Sequence, residues 1–150
     1  MLSVIYELVP STTTGRLAHY SEARGAVRVE VVDGHHAPDL LPDLNQGMQE
    51  LLDGSRWFQL WRKDIIGRSG GTDCSLDVRF RLVDLDPGDY VQILEVKGLV
   101  IIGVERTATA AQFVQAINPA IVHFLAGGQW FQVFAGEIVD MSSPDTVSHI

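Results

Sequence analysis

Short runs of alternating apolar and polar residues, each cut off by glycine, proline or a charged cluster, dominate this chain and limit what it can fold into. Leu2 to Val9 puts Leu2, Val4, Tyr6 and Leu8 on one face. Val27 to Val32 sets Val27, Val29 and Val31 against Arg28 and Glu30. Leu76 to Val83 sets Leu76, Val78, Phe80 and Leu82 against Asp77, Arg79 and Arg81. A period of two is the mark of a half-buried strand. Arg56 to Arg62 is aromatic through Trp57, Phe58 and Trp61. Tyr90 to Val104 is long and rich in β-branched residues, with Gly98 and Gly103 read as bulges or bends. Asp86-Pro87-Gly88-Asp89 reads as a tight hairpin turn, proline fixing one φ and glycine permitting a positive one. Ile121 to Leu125 and Trp130 to Val139 read as a final strand pair joined by Ala126-Gly127-Gly128.

Two segments carry a helical period instead. Asp39 to Asp53 spaces Leu41, Leu44, Met48, Leu51 and Leu52 along one side, with Asp39 as N-cap and Gly54 as the stop. Gly47 in its middle costs about 1 kcal/mol against alanine. Thr107 to Ile117 reads either as a short helix closed by Asn118-Pro119, which is preferred, or as an irregular strand. The pattern contains no evident internal repeat. Its expected fold is mainly β: a single antiparallel β-barrel of about seven to eight strands with one or two short helices. A barrel is preferred to a sandwich because several strands carry apolar residues on both faces. The barrel is expected over residues 1–141, and Ser142-Ser143-Pro144-Asp145 opens a loosely ordered tail over residues 142–150.

Composition narrows the function classes. With 150 residues, 46% of them hydrophobic and 20% charged, the chain can bury the core of one domain, which excludes wholesale disorder. A net charge of −8 argues against nucleic acid, whose phosphates need a basic face. Cys74 is the sole cysteine, so no intrachain disulfide forms. The longest uncharged apolar stretch, Gly98 to Val104, falls far short of the roughly 20 residues that span a bilayer. Met1 to Glu7 lacks the basic and long apolar regions of a secretory signal, so a cytoplasmic protein with no membrane contact is expected.

Gly54-Ser55-Arg56-Trp57, then Cys74-Ser75-Leu76-Asp77-Val78-Arg79-Phe80, then Asp86-Pro87-Gly88-Asp89-Tyr90-Val91-Gln92-Ile93 and Lys97-Gly98-Leu99 form a recurring pattern. Together they resemble a small bacterial and fungal family, domain of unknown function 3237, over residues 54–99. The resemblance implies a compact β-barrel, with some relatives acting as accessory proteins of natural-product pathways. It carries over no catalytic residue. Asp33-Gly34-His35-His36 and the helical segment stand where that family has a glycine-rich approach.

Candidate chemistry is sparse. Adjacent histidines on a strand point to opposite faces, so His35 and His36 do not share a metal without a turn, and no metal is expected. One of the pair, assigned as His35, would serve as a general base, since histidine titrates near neutrality. Asp77 and Arg79 share a strand face: either they form an exposed ion pair, or they turn inward, Arg79 holding an enolate or carboxylate that Asp77 orients. Glu95, on the next strand, would complete that polar floor. Trp57, Trp61, Trp130 and Phe134 are either core or the wall of a pocket for a flat apolar ligand, and His123, beside Phe124 in an apolar run, is either a satisfied core residue or part of that wall. Phosphate-loop, dinucleotide, nucleophile-elbow and zinc-protease motifs are absent, so no cofactor is expected.

The leading expectation is a barrel that encloses an apolar, polyketide-like small molecule and acts as a cofactor-independent cyclase or isomerase in natural-product biosynthesis. A passive ligand carrier fits equally. The alternative from another class is a non-enzymatic acidic interaction module, of immunity or regulatory type, with a solid interior. A homodimer would cover surplus apolar strand faces in either case.

Overall fold

The computed structural model describes residues 3–23, 25–54, 77–96 and 99–127. Three alternating segments form strands where the period predicts them: β1 (Ser3–Val9), β3 (Ala26–Val32) and β4 (Asp77–Val83). A further strand, β2 (Ala18–Ala23), lies between the first two. The long run after Tyr90 is not one bent strand. It is β5 (Val91–Val96) and β6 (Leu99–Glu105), paired antiparallel with each other.

The strands form two three-stranded sheets, ordered β1-β3-β2 and β4-β6-β5. Each is mixed: β1 runs parallel to β3 and β4 parallel to β6, while β2 and β5 run antiparallel to those central strands. The expected closed antiparallel barrel, which the family resemblance also implied, is therefore corrected to a mixed α/β fold. The physical reason lies at the sheet edges. α1 (Ala37–Gly54) packs against both β2 and β4, and α2 (Ala110–Gly127) against both β1 and β5. A helix stands at each seam where a barrel would need strand-to-strand hydrogen bonds. The Asp86–Asp89 turn forms, with Asp89 N–H on Asp86 C=O at 3.0 Å and Gly88 at φ +92°. It joins strands that are not paired, because β4 bonds to β6 rather than β5.

The two halves repeat one another, contrary to the expectation of no repeat. A displacement of 73 residues (110 minus 37) carries α1 onto α2. The same shift carries β2 onto β5 and β3 onto β6. It pairs Leu40 with Phe113, Leu44 with Ile117 and Met48 with Ile121, all buried. In the sequence it continues past the helices, Trp57-Phe58-Gln59 answering to Trp130-Phe131-Gln132. His36 forms an isolated antiparallel bridge to Thr109, its own counterpart. The flanking bonds, Ala37 N–H to Ala108 C=O at 2.9 Å and Ala110 N–H to His35 C=O at 2.8 Å, are likewise exchanged by the repeat. An approximate twofold axis thus passes between His36 and Thr109.

Each helix also closes the free edge of the other repeat. In β1, Tyr6 turns its peptide groups away from β3. Its N–H donates to Asn118 Oδ1 at 2.8 Å, and its C=O accepts from Asn118 Nδ2 at 2.9 Å. Asn45 of α1 does the same for Phe80 of β4, at 2.7 and 3.0 Å. An amide side chain takes the place of a fourth strand, which is one way of blunting a sheet edge.

This clamp explains why α2 outruns its predicted end. Asn118-Pro119 reads as a stop, yet the helix continues to Gly127 with Pro119 inside it. The loss at an internal proline is about 3 kcal/mol. Burial of Ile117 and Ile121 in the shared core, with the Asn118 clamp, opposes it. Ile121 to Leu125 is accordingly helix, not strand. The helix begins on a capping box: Gln112 N–H donates to Thr109 Oγ1 at 3.1 Å, and Thr109 N–H to Gln112 Oε1 at 3.0 Å.

Candidate functional site

The expected catalytic group is not assembled. His35 is half-buried beside the twofold bridge, where its carbonyl accepts the Ala110 bond. Arg79 is exposed, its Nε 2.8 Å from Asp77 Oδ2, so the pair is the surface ion pair and not the inward one. Arg79 lies opposite Ile101, whereas half-buried Glu95 lies opposite Val100. Adjacent residues of β6 face opposite ways, so Glu95 and Arg79 sit on opposite faces of the sheet and build no common floor. His123 is exposed on α2. Trp57, Trp61, Trp130 and Phe134, together with Cys74 and the tail from residue 142, lie outside the described residues.

Among the described residues, side chains pack the space between the sheets. Tyr6, Leu40, Leu44, Ile102, Phe113 and Ile117 are all fully buried in one continuous core. Tyr6 and Phe80 meet Phe113 edge-on, with ring centroids 5.6 and 6.3 Å away. The Tyr6 hydroxyl is buried without a hydrogen-bond partner, and burial pushes its ionisation well above the usual phenol range.

Among the described residues a concavity lies elsewhere, between the outer strand β2 and helix α1. This open groove of about 510 Å³ is lined by Thr14, Arg16, His19, Tyr20, Glu22 and Glu50, with Ala18, Gly47 and Leu51 behind them. Three bonds fix its walls. Leu17 N–H donates to Asp43 Oδ2 at 2.8 Å, Tyr20 O–H to the Leu44 carbonyl at 2.8 Å, and the Arg16 guanidinium forks onto both carboxylate oxygens of Glu50. Gly47 makes the floor. A Cβ there would sit 2.4 and 2.5 Å from Cδ1 and Cε1 of Tyr20, so the ring lies directly on bare helix backbone.

The electrostatics follow from those contacts. The Arg16 hydrogen bond holds the Glu50 carboxyl below its ordinary range, and the same bond raises Arg16. Burial lifts the Tyr20 hydroxyl well above its usual value, with Tyr6 adding to it. Among the described residues, no three His, Cys, Asp or Glu groups are placed to hold a metal ion. Nor is any described helix long and apolar enough to cross a membrane.

None of the groove residues was among the sequence-derived candidates. The one available signal was Gly47, a glycine in the middle of an otherwise good amphipathic helix, which is a packing or functional flag as much as a weakness. No protein-family model, curated protein or solved structure matches this chain.

Proposed function

We propose that this chain is a non-enzymatic interaction module that receives a partner in the groove between β2 and α1. The observation that carries this reading is where volume is found. Among the described residues, the side chains of both helices pack between the sheets, while the groove opens at the rim of a sheet. An enclosed substrate needs a lumen, and enzymes that act by confinement gain their rate from excluding water. A binding surface needs neither. Two of its ionisable groups, Arg16 and Glu50, are held by each other rather than poised for proton transfer.

The groove sits on a chain of net charge −8 and carries Glu22 and Glu50 beside Arg16. Association steered by such charge weakens as salt is raised. The test is selection of binders to the intact chain from a displayed library of random linear peptides. Selected binders are then measured against the charge-exchanged pair Arg16→Glu with Glu50→Arg. That exchange keeps the ion pair and reverses the field at each wall. Binders that lose affinity on the exchange support the reading. A stoichiometric small molecule carried through native mass spectrometry and released on denaturation contradicts it.

A further inference from the structure

The phase of the β2 ladder says what kind of partner the groove takes. Val32 N–H donates to Leu17 C=O at 2.9 Å, and the register continues as Ala18 opposite Val31, His19 opposite Glu30 and Tyr20 opposite Val29. Antiparallel pairs alternate between bonded and non-bonded positions. Leu17 is opposite Val32 in a bonded position, so His19 and Ser21 also turn their peptide groups toward β3. Ala18 and Tyr20 turn theirs away from it, on the groove side. Ala18 is buried at the inner end of the groove, while Tyr20 is half-exposed.

The other repeat-related edges are treated differently. The outward peptide groups of Tyr6 and Phe80 are each bound by an asparagine, Asn118 and Asn45. No such clamp reaches the backbone of Tyr20 among the described residues; α1 holds only its hydroxyl. At the position equivalent to Tyr20 the second repeat has Ile93, and Ala120 stands in place of Gly47. Among the described residues, only the first repeat combines a glycine floor, a flat ring and a strand edge with peptide groups facing a groove.

From this we infer that the occupant is an extended peptide segment that adds to β2 as a further strand, its own backbone bonding to the N–H and C=O of Tyr20. Main-chain bonds of this kind supply affinity, and alternate side chains supply specificity. In this groove one set of side chains meets Tyr20 and Leu51, which favours apolar residues. At the rim, a chain of net charge −8 favours a basic residue. The partner is therefore an extended segment alternating apolar and basic residues.

This inference rests on the interaction-module reading, and the test separates the two. A linear peptide selected from the random library is resynthesised in two series, each N-methylated at alternate backbone positions. Strand addition predicts that one series loses about tenfold in affinity for the intact chain for each inward N–H removed, while the other is unaffected. Equal tolerance of both series, or a helical bound peptide, overturns strand addition. In that case continued sensitivity to the Arg16/Glu50 exchange leaves the module reading standing. Loss of that sensitivity as well removes both.

Discussion

Replacing Gly47 by alanine sets two effects of opposite sign against each other. Helix propensity alone favours alanine by about 1 kcal/mol at an interior position. The structure places Tyr20 ring carbons 2.4 and 2.5 Å from the new methyl, a separation no real contact sustains. The ring must therefore shift. Its hydroxyl is tied to the Leu44 carbonyl at 2.8 Å, so movement strains or breaks that bond. Overpacking of this kind costs about 1–3 kcal/mol, and a lost hydrogen bond about 1 kcal/mol. The net expectation is destabilisation by about 1–3 kcal/mol. Urea unfolding should show the midpoint falling by about 1 M at an unchanged slope, for a slope near 2 kcal/mol/M. The sharper form adds Tyr20→Ile, which reproduces the Ile93/Ala120 pairing of the second repeat. The double variant should recover at least about 1 kcal/mol beyond additivity, as expected for residues in contact. A higher midpoint in Gly47→Ala alone would refute the packing argument, because propensity would then be the only effect at work.

The clamps are predicted to matter equally in both repeats. Asn118→Ala and Asn45→Ala each strand one N–H and one C=O of an edge strand and should cost about 2 kcal/mol apiece in urea unfolding. The Tyr6 hydroxyl has no partner among the described residues, and Phe80 holds the matching place in the second sheet, opposite Ile102 as Tyr6 is opposite Val29, so Tyr6→Phe should raise thermal stability or leave it unchanged. A drop of more than about 1 kcal/mol would mean that the hydroxyl is bonded. Burial raises the Tyr6 and Tyr20 hydroxyls above the ordinary value of 10.0. The unfolded chain then loses those protons first, so the stability they contribute is present below about pH 10 and lost as pH climbs toward the folded values. Unfolding measured between neutral and strongly alkaline pH should show this decline, and it should be shallower in Tyr6→Phe.

Strand alternation exposed β1, β3 and β4 because each has one face on the core, and helical spacing exposed α1 for the same reason. β2 escaped because Ala18-His19-Tyr20-Ser21-Glu22-Ala23 buries little more than an alanine and a tyrosine ring, too small a pattern to stand out. The break between β5 and β6 was hidden in a run rich in β-branched residues, and Gly98 looked like a bulge. Ile121 to Leu125 shows why short apolar runs mislead: apolar but for His123, it fits a buried strand or a helix equally. Alternation counts strands but says nothing of closure, which here is prevented by two helices at the seams. The duplication was obscured because its halves share burial rather than identity, Leu40 answering to Phe113 and Leu44 to Ile117. Identical pairs are the minority: Asn45 and Asn118 are among them, where a backbone is clamped at two atoms, as are Trp57-Phe58-Gln59 and Trp130-Phe131-Gln132. The groove was illegible for another reason: Arg16, Tyr20, Gly47 and Glu50 meet only when β2 is set against α1.

Amide hydrogen exchange of the intact chain, with and without a selected linear peptide, bears most directly on the claim that a partner strand pairs with β2. The account predicts that exchange at Tyr20 slows on peptide addition, while His19 and Ser21, whose amides already face β3, stay as they were. Protection that bypasses Tyr20 and falls instead on another surface, such as the outer face of β5 around exposed Leu94, would contradict it.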